Sequence, residues 1–396
     1  MSFFKDVSLA AVSAGFVATL VGFTSTIALI FQAAHALGAT PQQISSWVLA
    51  LGLGMGLLTI GLSIWTRSPV LITWSTPGAA VIASAAAGVS LPEAVGAFLV
   101  CGTLMLLCGV TGWFERIMDR IPVALASALL AGILAKFALM AFAAATPHPT
   151  LVVSMLITYL VGKRWWPRYA VLGVLLLGTC LAGAQGLLNT QQLHLDWAKP
   201  VWVTPQWSWH AIIGMGLPLF IVTMASQAVP GVSAIRVSGY KAPVSPLMTW
   251  SGITTLLFAP FGGYTFNLAA ITAAIVLNPH AHADARKRYT AAIMAGLFYI
   301  VMGLLGGAVA GLLTAFPEAL IMGVAGMALL GTIASGLAAS LRDERFREAA
   351  LITFLVTLSG VSLLGIGSAF WGLVAGTLTL FVEHFRNHPA KDIESP

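Results

Sequence analysis

Pro69-Val-Leu-Ile-Thr-Trp-Ser-Thr-Pro-Gly-Ala-Ala-Val81 is apolar enough for a hydrophobic interior, yet it does not read as one continuous helix. Proline disfavours helical backbone in the residue before it and suits a helix only in its first turn. Pro69 to Trp74 therefore reads as extended, with Ser75 or Thr76 as N-cap and Pro77 in the first turn of a helix running through Gly78-Ala-Ala-Val81. Phe261-Gly-Gly-Tyr-Thr-Phe266 repeats the pattern: it is extended, and Asn267 is expected to cap a helix through Leu268-Ala-Ala-Ile-Thr272.

The chain around these two breaks is that of a membrane protein. Its 396 residues are 58% hydrophobic and 8% charged, whereas a soluble domain carries about 25% charged residues. Apolar runs recur at 8–36, 43–66, 69–88, 92–114, 121–144, 149–162, 168–188, 207–232, 243–261, 262–279, 289–314, 317–339, 347–361 and 364–384, lengths suited to a hydrocarbon core about 30 Å thick. The first run exceeds a signal-peptide core and is read as retained. The expected fold is an all-α polytopic membrane protein of 14 transmembrane segments, with short extended stretches in spans 3 and 10.

An even span count puts both termini on one side. With that side cytoplasmic, every one of the 19 Lys and Arg residues falls in an inner loop or tail, except Lys199 in an outer loop and Lys136 within span 5. The positive-inside rule is thereby met at each loop. The net charge of +6 then faces anionic lipid headgroups rather than nucleic acid.

Acidic residues are cytoplasmic apart from Glu93, Asp196 and Glu318, which border outer loops. A pump built on an intramembrane carboxylate would need one deep in a span, and none is there. Cys101, Cys108 and Cys180 have no metal-ligand spacing, so neither metal nor cofactor is expected. The chain also lacks His-Glu-x-x-His and paired in-span carboxylates, which argues against an enzyme. A channel would need an oligomeric pore or charged rings, whereas the interrupted spans and the internal repeat argue for a carrier.

Halving the chain near residues 191–206 exposes weak self-similarity. Gly38-Ala-Thr-Pro-Gln-Gln-Ile-Ser-Ser-Trp47 resembles Gly239-Tyr-Lys-Ala-Pro-Val-Ser-Pro-Leu-Met-Thr-Trp250, and Ile121-Pro-Val-Ala-Leu125 resembles Phe316-Pro-Glu-Ala-Leu320. Spans 6 and 13 are both short. Seven spans per half is odd, so the expected layout is a 7+7 inverted repeat.

In such a layout the half-helices of spans 3 and 10 meet near the midplane and aim free N–H groups at one spot, which favours an anion. Trp74, Tyr264 and Phe266 are the expected aromatic walls, with Ser75, Thr76, Thr265 and Asn267 at the breaks. Thr24 and Ser25 on span 1 and Ser226 and Gln227 on span 8 add neutral hydrogen-bonding groups. For Thr24, Ser25 and Ser226 the alternative is ordinary bonding to the carbonyl one turn back. Pro230 and Gly231 should distort span 8 beside Gln227. Lys136 either snorkels outward or draws an anion along its route, and His35 is either a protonation site or a solvated histidine. Gly52-x-x-x-Gly56 and Gly307-x-x-x-Gly311 read as faces for close helix packing.

Trp74-Ser-Thr-Pro-Gly-Ala-Ala80, Pro218-Leu-Phe-Ile-Val-Thr-Met-Ala-Ser-Gln227, Pro243-Val-Ser-Pro246 and Gly365-Ile-Gly-Ser-Ala-Phe-Trp-Gly372 resemble the bacterial benzoate transporter (BenE) family over nearly the whole chain. The resemblance implies a symporter of the inner membrane that carries benzoate, or a similar small aromatic carboxylate, with protons; the alternative is a nucleobase or inorganic-anion carrier. The organisation is more distantly similar to nucleobase-ascorbate transporters, which implies a core domain moving against a gate domain. On that analogy the core comprises 1–114 and 207–314 and the gate 115–190 and 315–385, joined by an outer linker at 191–206 and ending in a cytoplasmic tail at 386–396; a homodimer is compatible with it. Nucleobase transporters carry an acidic residue where this chain reads Tyr264-Thr-Phe-Asn267, and another where Gln227 falls. Their loss favours an anionic substrate and leaves the proton to travel with it or by histidine.

Overall fold

The computed structural model describes residues 6–114, 122–166, 170–189, 197–241, 243–269, 272–279, 281–361, 363 and 368–386. Lys5, Arg116, Arg120, Arg168, Asp196, Lys391 and the first three residues of the Gly365 to Gly372 string lie outside them.

Helices follow the apolar runs in order. The first half holds α1 (Leu9–Ala36), α2 (Pro41–Thr66), strand β1 (Ile72–Trp74), α3 (Thr76–Ala85), α4 (Leu91–Thr111), α5 (Val123–Ala143), α6 (Pro149–Trp165) and α7 (Ala170–Ala184). After the linker come α8 (209–237), α9 (Val244–Phe258), strand β2 (Phe266–Leu268), α10 (Ala273–Leu277), α11 (Tyr289–Leu304), α12 (Gly306–Ala315), α13 (Glu318–Ser340), α14 (Arg347–Ser359) and α15 (Ser368–Arg386). Among the described residues, α1, α2, α4, α5 and α13 are each long and apolar enough to cross a membrane.

Local chemistry sets the starts. Thr40 and Gln43 form a reciprocal capping box before Pro41 of α2, as Ser90 and Glu93 do for α4, each satisfying donors that a helix N-terminus leaves free. Ser75 caps α3 by accepting from the Gly78 N–H at 3.0 Å, with Pro77 in the first turn as expected. Helix α8 is wound as a π-helix at Ile212–Gly216 and again at Met224–Ala228. Each stretch ends two residues before a proline, Pro218 and Pro230; a residue that cannot donate to the carbonyl four back forces the ladder to slip.

The two breaks pair with each other. β1 and β2 run antiparallel with Ile72 opposite Leu268, Thr73 opposite Asn267 and Trp74 opposite Phe266. The outward edges, which would otherwise be bare backbone in an apolar interior, are met by hydroxyls on neighbouring helices. Thr59 accepts from the Ile72 N–H at 3.0 Å, Ser63 donates to the Val70 carbonyl at 2.9 Å, and Thr255 accepts from the Phe266 N–H at 3.2 Å. Backbone polar groups shielded from water have to be satisfied internally, and this is how the fold does it.

Asn267 does not cap a helix: it lies within β2, and the helix that follows begins only at Ala273. Pairing with β1 holds the backbone extended past the point where the local sequence would have let it turn.

The largest buried apolar cluster draws mainly on α1 to α4 and α8 to α11. A second joins α6 and α7 to α13, and a third joins α5 to α14. α2 packs along α11, α4 along α9 and α5 along α13. The α2–α11 contact is close because Gly52 and Gly56 meet Gly303 and Gly296; the second glycine pair singled out in the sequence, Gly307 and Gly311, is not needed for it.

Residues 197–207 form a strap across these helices. Ala198 donates to Leu304, Val201 to Ser46 Oγ, Val203 to Pro260 and Gln206 to Pro92.

Candidate functional site

A cavity of about 100 Å³ opens beside the paired strands, lined by Val21, Gly22, Phe23, Thr26, Met55, Thr73, Trp74, Thr76, Gln227, Thr272 and Tyr299. Its walls come from α1, α2, β1, the start of α3, the π-stretch of α8, the turn before α10, and α11. Among the described residues, neither α5 to α7 nor α13 to α15 contributes to the lining.

Three aromatic rings shape it. Phe23 meets Trp74 edge-on with centroids 4.7 Å apart and lies 6.1 Å from Tyr299, separations in the range where aromatic quadrupoles attract. The Trp74 indole N–H donates to Thr26 Oγ1 at 2.8 Å, and the Thr26 hydroxyl donates to the Gly22 carbonyl at 2.7 Å. Thr26 is thus fully engaged in holding Trp74.

The other polar linings are uncommitted. The side chains of Thr73, Thr76, Gln227 and Thr272 make no hydrogen bond to another described residue. The Tyr299 hydroxyl is buried with no partner either, Thr272 standing beside it without reaching hydrogen-bond geometry. Leaving a buried polar atom unpaired costs about 1–3 kcal/mol; the Tyr299 hydroxyl is such an atom, and with Thr272 and the partly exposed Thr73, Thr76 and Gln227 it gives the space neutral groups able to meet hydrogen-bond acceptors. Among the described residues, no Asp, Glu, His, Lys or Arg lines the cavity.

Of the residues singled out from sequence, Trp74, Thr76 and Gln227 meet here. Ser75 lies just behind: it is fully buried, accepts from the Thr223 hydroxyl at 3.0 Å, and its carbonyl accepts from Tyr264 Oη at 2.9 Å. Tyr264 itself packs between Trp47 and Phe98. Phe266 packs on Phe258, and Thr265 donates to the Met105 sulfur. Tyr264, Thr265 and Phe266 therefore do not line the cavity.

Asn267 is also fully buried, opposite the cavity-lining Thr73, and both polar atoms of its amide lack a partner. The backbone of Thr24 and Ser25 belongs to α1 and that of Ser226 to the π-stretch; their side chains lie outside the description.

His35 is exposed in the last turn of α1, about 13 Å along the helix from Thr26 at ~1.5 Å per residue. Lys136 is half-buried on α5, with its Nζ against Gly360 at the C-terminus of α14. Neither lines the cavity.

Phe23, Thr26, Thr73, Thr272 and Tyr299 escaped the sequence reading. A tyrosine in the middle of the otherwise apolar α11, and a threonine one turn beyond Gly22, were the available signals.

Comparison with known proteins agrees with this architecture. A family model described as "Benzoate membrane transport protein" matches residues 5–382. The inner membrane protein YdcO of Escherichia coli (strain K12) is 49% identical over 92% of this chain and 93% of its own length. The benzoate membrane transport protein of Acinetobacter baylyi is 37% identical over 96% of both. Among solved structures, SLC26A9 superposes on 100% of this chain and 70% of its own with TM-score 0.67 at 11% identity. The transmembrane domain of a cyanobacterium bicarbonate transporter, BicA, covers 95% of this chain and 96% of its own with TM-score 0.59 at 15% identity. At these identities the two structures speak to fold alone.

Proposed function

The chain belongs to the benzoate membrane transport protein family, and from that premise we propose that it imports benzoate, or a comparably small aromatic carboxylate, together with protons. It is a membrane transport protein rather than an enzyme, as its relatives are named, and one relative is named as an inner membrane protein. The observation that carries the substrate reading is the cavity: Phe23, Trp74 and Tyr299 enclose a space of about 100 Å³, of the order of the ~150 Å³ apolar cavity known to admit benzene. Thr73, Thr76, Gln227, Thr272 and Tyr299 offer neutral donors to a carboxylate. A neutral site without acids suits an anion, because a fixed carboxylate would repel it and a fixed cation would hold it too long for turnover.

In this reading the 14 apolar segments all cross the membrane as two inverted sets of seven, with both termini cytoplasmic. The packing of α2 on α11 and of α4 on α9 supports the symmetry, since a two-fold exchange of the halves turns one contact into the other. Residues 1–114 and 207–314 form a core that carries the substrate, and 115–190 and 315–385 form a gate. Confinement of the cavity lining to the former supports this division. Alternating access follows from movement of one against the other. With no titratable carboxylate or histidine in the lining, the proton travels with the substrate or by a histidine outside the cavity.

A thermal-shift panel of benzoate, substituted benzoates, uracil and sulfate on purified protein tests the substrate. Benzoate should stabilise most, and stabilisation by uracil or sulfate alone would replace the aryl carboxylate with a nucleobase or an inorganic anion. Uptake into proteoliposomes indifferent to the proton gradient would exclude symport.

A further inference from the structure

A second cavity, of about 290 Å³, lies between α6 and α7, far larger than the first and almost wholly apolar. The two helices touch where a Cβ on Gly162 would come within 3.0 Å of Ala170 Cα. Beyond that contact they part, and Thr158, Val161, Gly173 and Leu176 line the opening. Trp166 closes one end and is 63% exposed; with Trp165 it forms a pair of rings 6.4 Å apart. Indoles of this kind gather at the boundary between headgroups and hydrocarbon.

At that same end stand Lys163 and Arg164, exposed in the last turn of α6. The Lys163 ammonium sits 5.6 Å over the Tyr159 ring. Three other cations in this protein have acids beside them: Asp6 meets Lys287, Asp343 meets Arg345, and Glu344 meets Arg347. Lys163 and Arg164 have none among the described residues, and the chain contains no Asp or Glu at all between Asp119 and Asp196. The Lys163 ammonium also donates to the Tyr159 hydroxyl at 3.4 Å; the negative end of α6 favours a cation there, but it accounts for neither two cations without an acid nor an open cleft beneath them.

We propose that this cleft is a binding site for an anionic glycerophospholipid. One acyl chain lies along the Gly162–Gly173 floor, the glycerol backbone sits at the tryptophan pair, and the phosphate is held by Lys163 and Arg164. Each lysine or arginine near an anionic membrane surface attracts it, and the cleft adds contacts along the acyl chain that a flat helix face would not make. The site is separate from the aromatic cavity and does not depend on what that cavity carries.

The test uses the full chain, purified in detergent and stripped of lipid. It is titrated with phosphatidylglycerol or with phosphatidylcholine of identical acyl chains, and retained lipid is counted by native mass spectrometry. About one phosphatidylglycerol per chain should be retained at concentrations where phosphatidylcholine is lost. The variant Lys163→Gln/Arg164→Gln should lower that preference at least fivefold. Gly173→Leu, which fills the cleft without touching charge, should reduce retention of both lipids. Helix content by circular dichroism identifies any variant that has failed to fold, and Gly173→Ala then replaces it as the milder filling. Equal retention of the two lipids, or an unchanged preference in the double variant, would overturn the proposal.

Discussion

The Trp74 indole nitrogen donates to Thr26 Oγ1 across 2.8 Å, joining the residue before the α3 break to the middle of α1. The ring cannot swing out of the cavity wall without leaving a buried donor unpaired. Thr26→Val should therefore loosen Trp74 and weaken benzoate binding roughly tenfold, the equivalent of about 1.4 kcal/mol, while Thr26→Ser keeps the acceptor and near-native affinity. Isothermal titration measures both. Equal affinities for the Val and Ser variants would show that the orientation of Trp74 does not matter to binding.

Asn267 gives a different signature. Its buried amide has no partner on either polar atom, so Asn267→Leu should leave the ligand-free protein as stable or more stable by about 1–3 kcal/mol. If this amide turns to the substrate, the same change lowers benzoate affinity more than tenfold. A variant that is less stable and binds normally would assign Asn267 a purely structural part.

Lys136 and Gly360 form a third test. Gly360 takes a left-handed φ of +69°, and a Cβ there would stand 2.9 Å from Lys136 Nζ. Gly360→Ala should cost about 1–2 kcal/mol from backbone strain alone, with further displacement of the ammonium. Lys136→Met removes the charge that faces the carbonyl end of α14. Because Lys136 lies outside the cavity lining, benzoate affinity should hold within about twofold while the maximal uptake rate falls. A selective loss of affinity would instead put Lys136 on the substrate.

On the face where Asp6 meets α11, its carboxylate pairs with Lys287 at 3.2 Å and accepts from Tyr289 Oη at 3.0 Å; Arg67 in turn donates to Tyr289 Oη at 2.9 Å. The Lys287 contact, then the Tyr289 bond, hold the Asp6 carboxyl below its ordinary value of 3.8. A depressed carboxyl contributes stability above the unfolded-state pKa and loses it as pH falls through the folded one. Asp6→Asn should thus melt lower than the parent by the same margin anywhere from pH 5 to 8, and the gap should close below the ordinary carboxyl value. A gap that does not narrow at all as pH is lowered through the acid range below 3.8 would mean that the charge of Asp6 is not what matters.

How legible these features were depended on how local their causes are. Ser75 was readable as a cap because serine two residues before a proline carries its own geometry, and the distortion of α8 was readable from Pro230. Asn267 was misread because asparagine is an equally good cap on paper, and what holds it extended is a strand almost half the chain away. Thr59, Ser63 and Thr255 looked like ordinary in-span hydroxyls until the strands they satisfy were in place. Phe23 and Tyr299 sit in unbroken helices, where only packing decides which face meets the cavity. Tyr264 and Phe266, beside a break, drew attention that belonged to those two.

The bridge between β1 and β2 also sets a timetable for synthesis. Ser75 is made 189 residues before Tyr264, whose hydroxyl its carbonyl accepts, an interval on the order of 10–40 s at about 5–20 residues per second. During that time Thr59 and Ser63, already present on α2, can cover one edge of the nascent strand, but nothing yet made covers the other. The insertion machinery must shelter that edge, and a chain truncated before Phe266 leaves it bare permanently. Premature termination anywhere in the intervening stretch should therefore yield not a half-functional carrier but a substrate for membrane quality control.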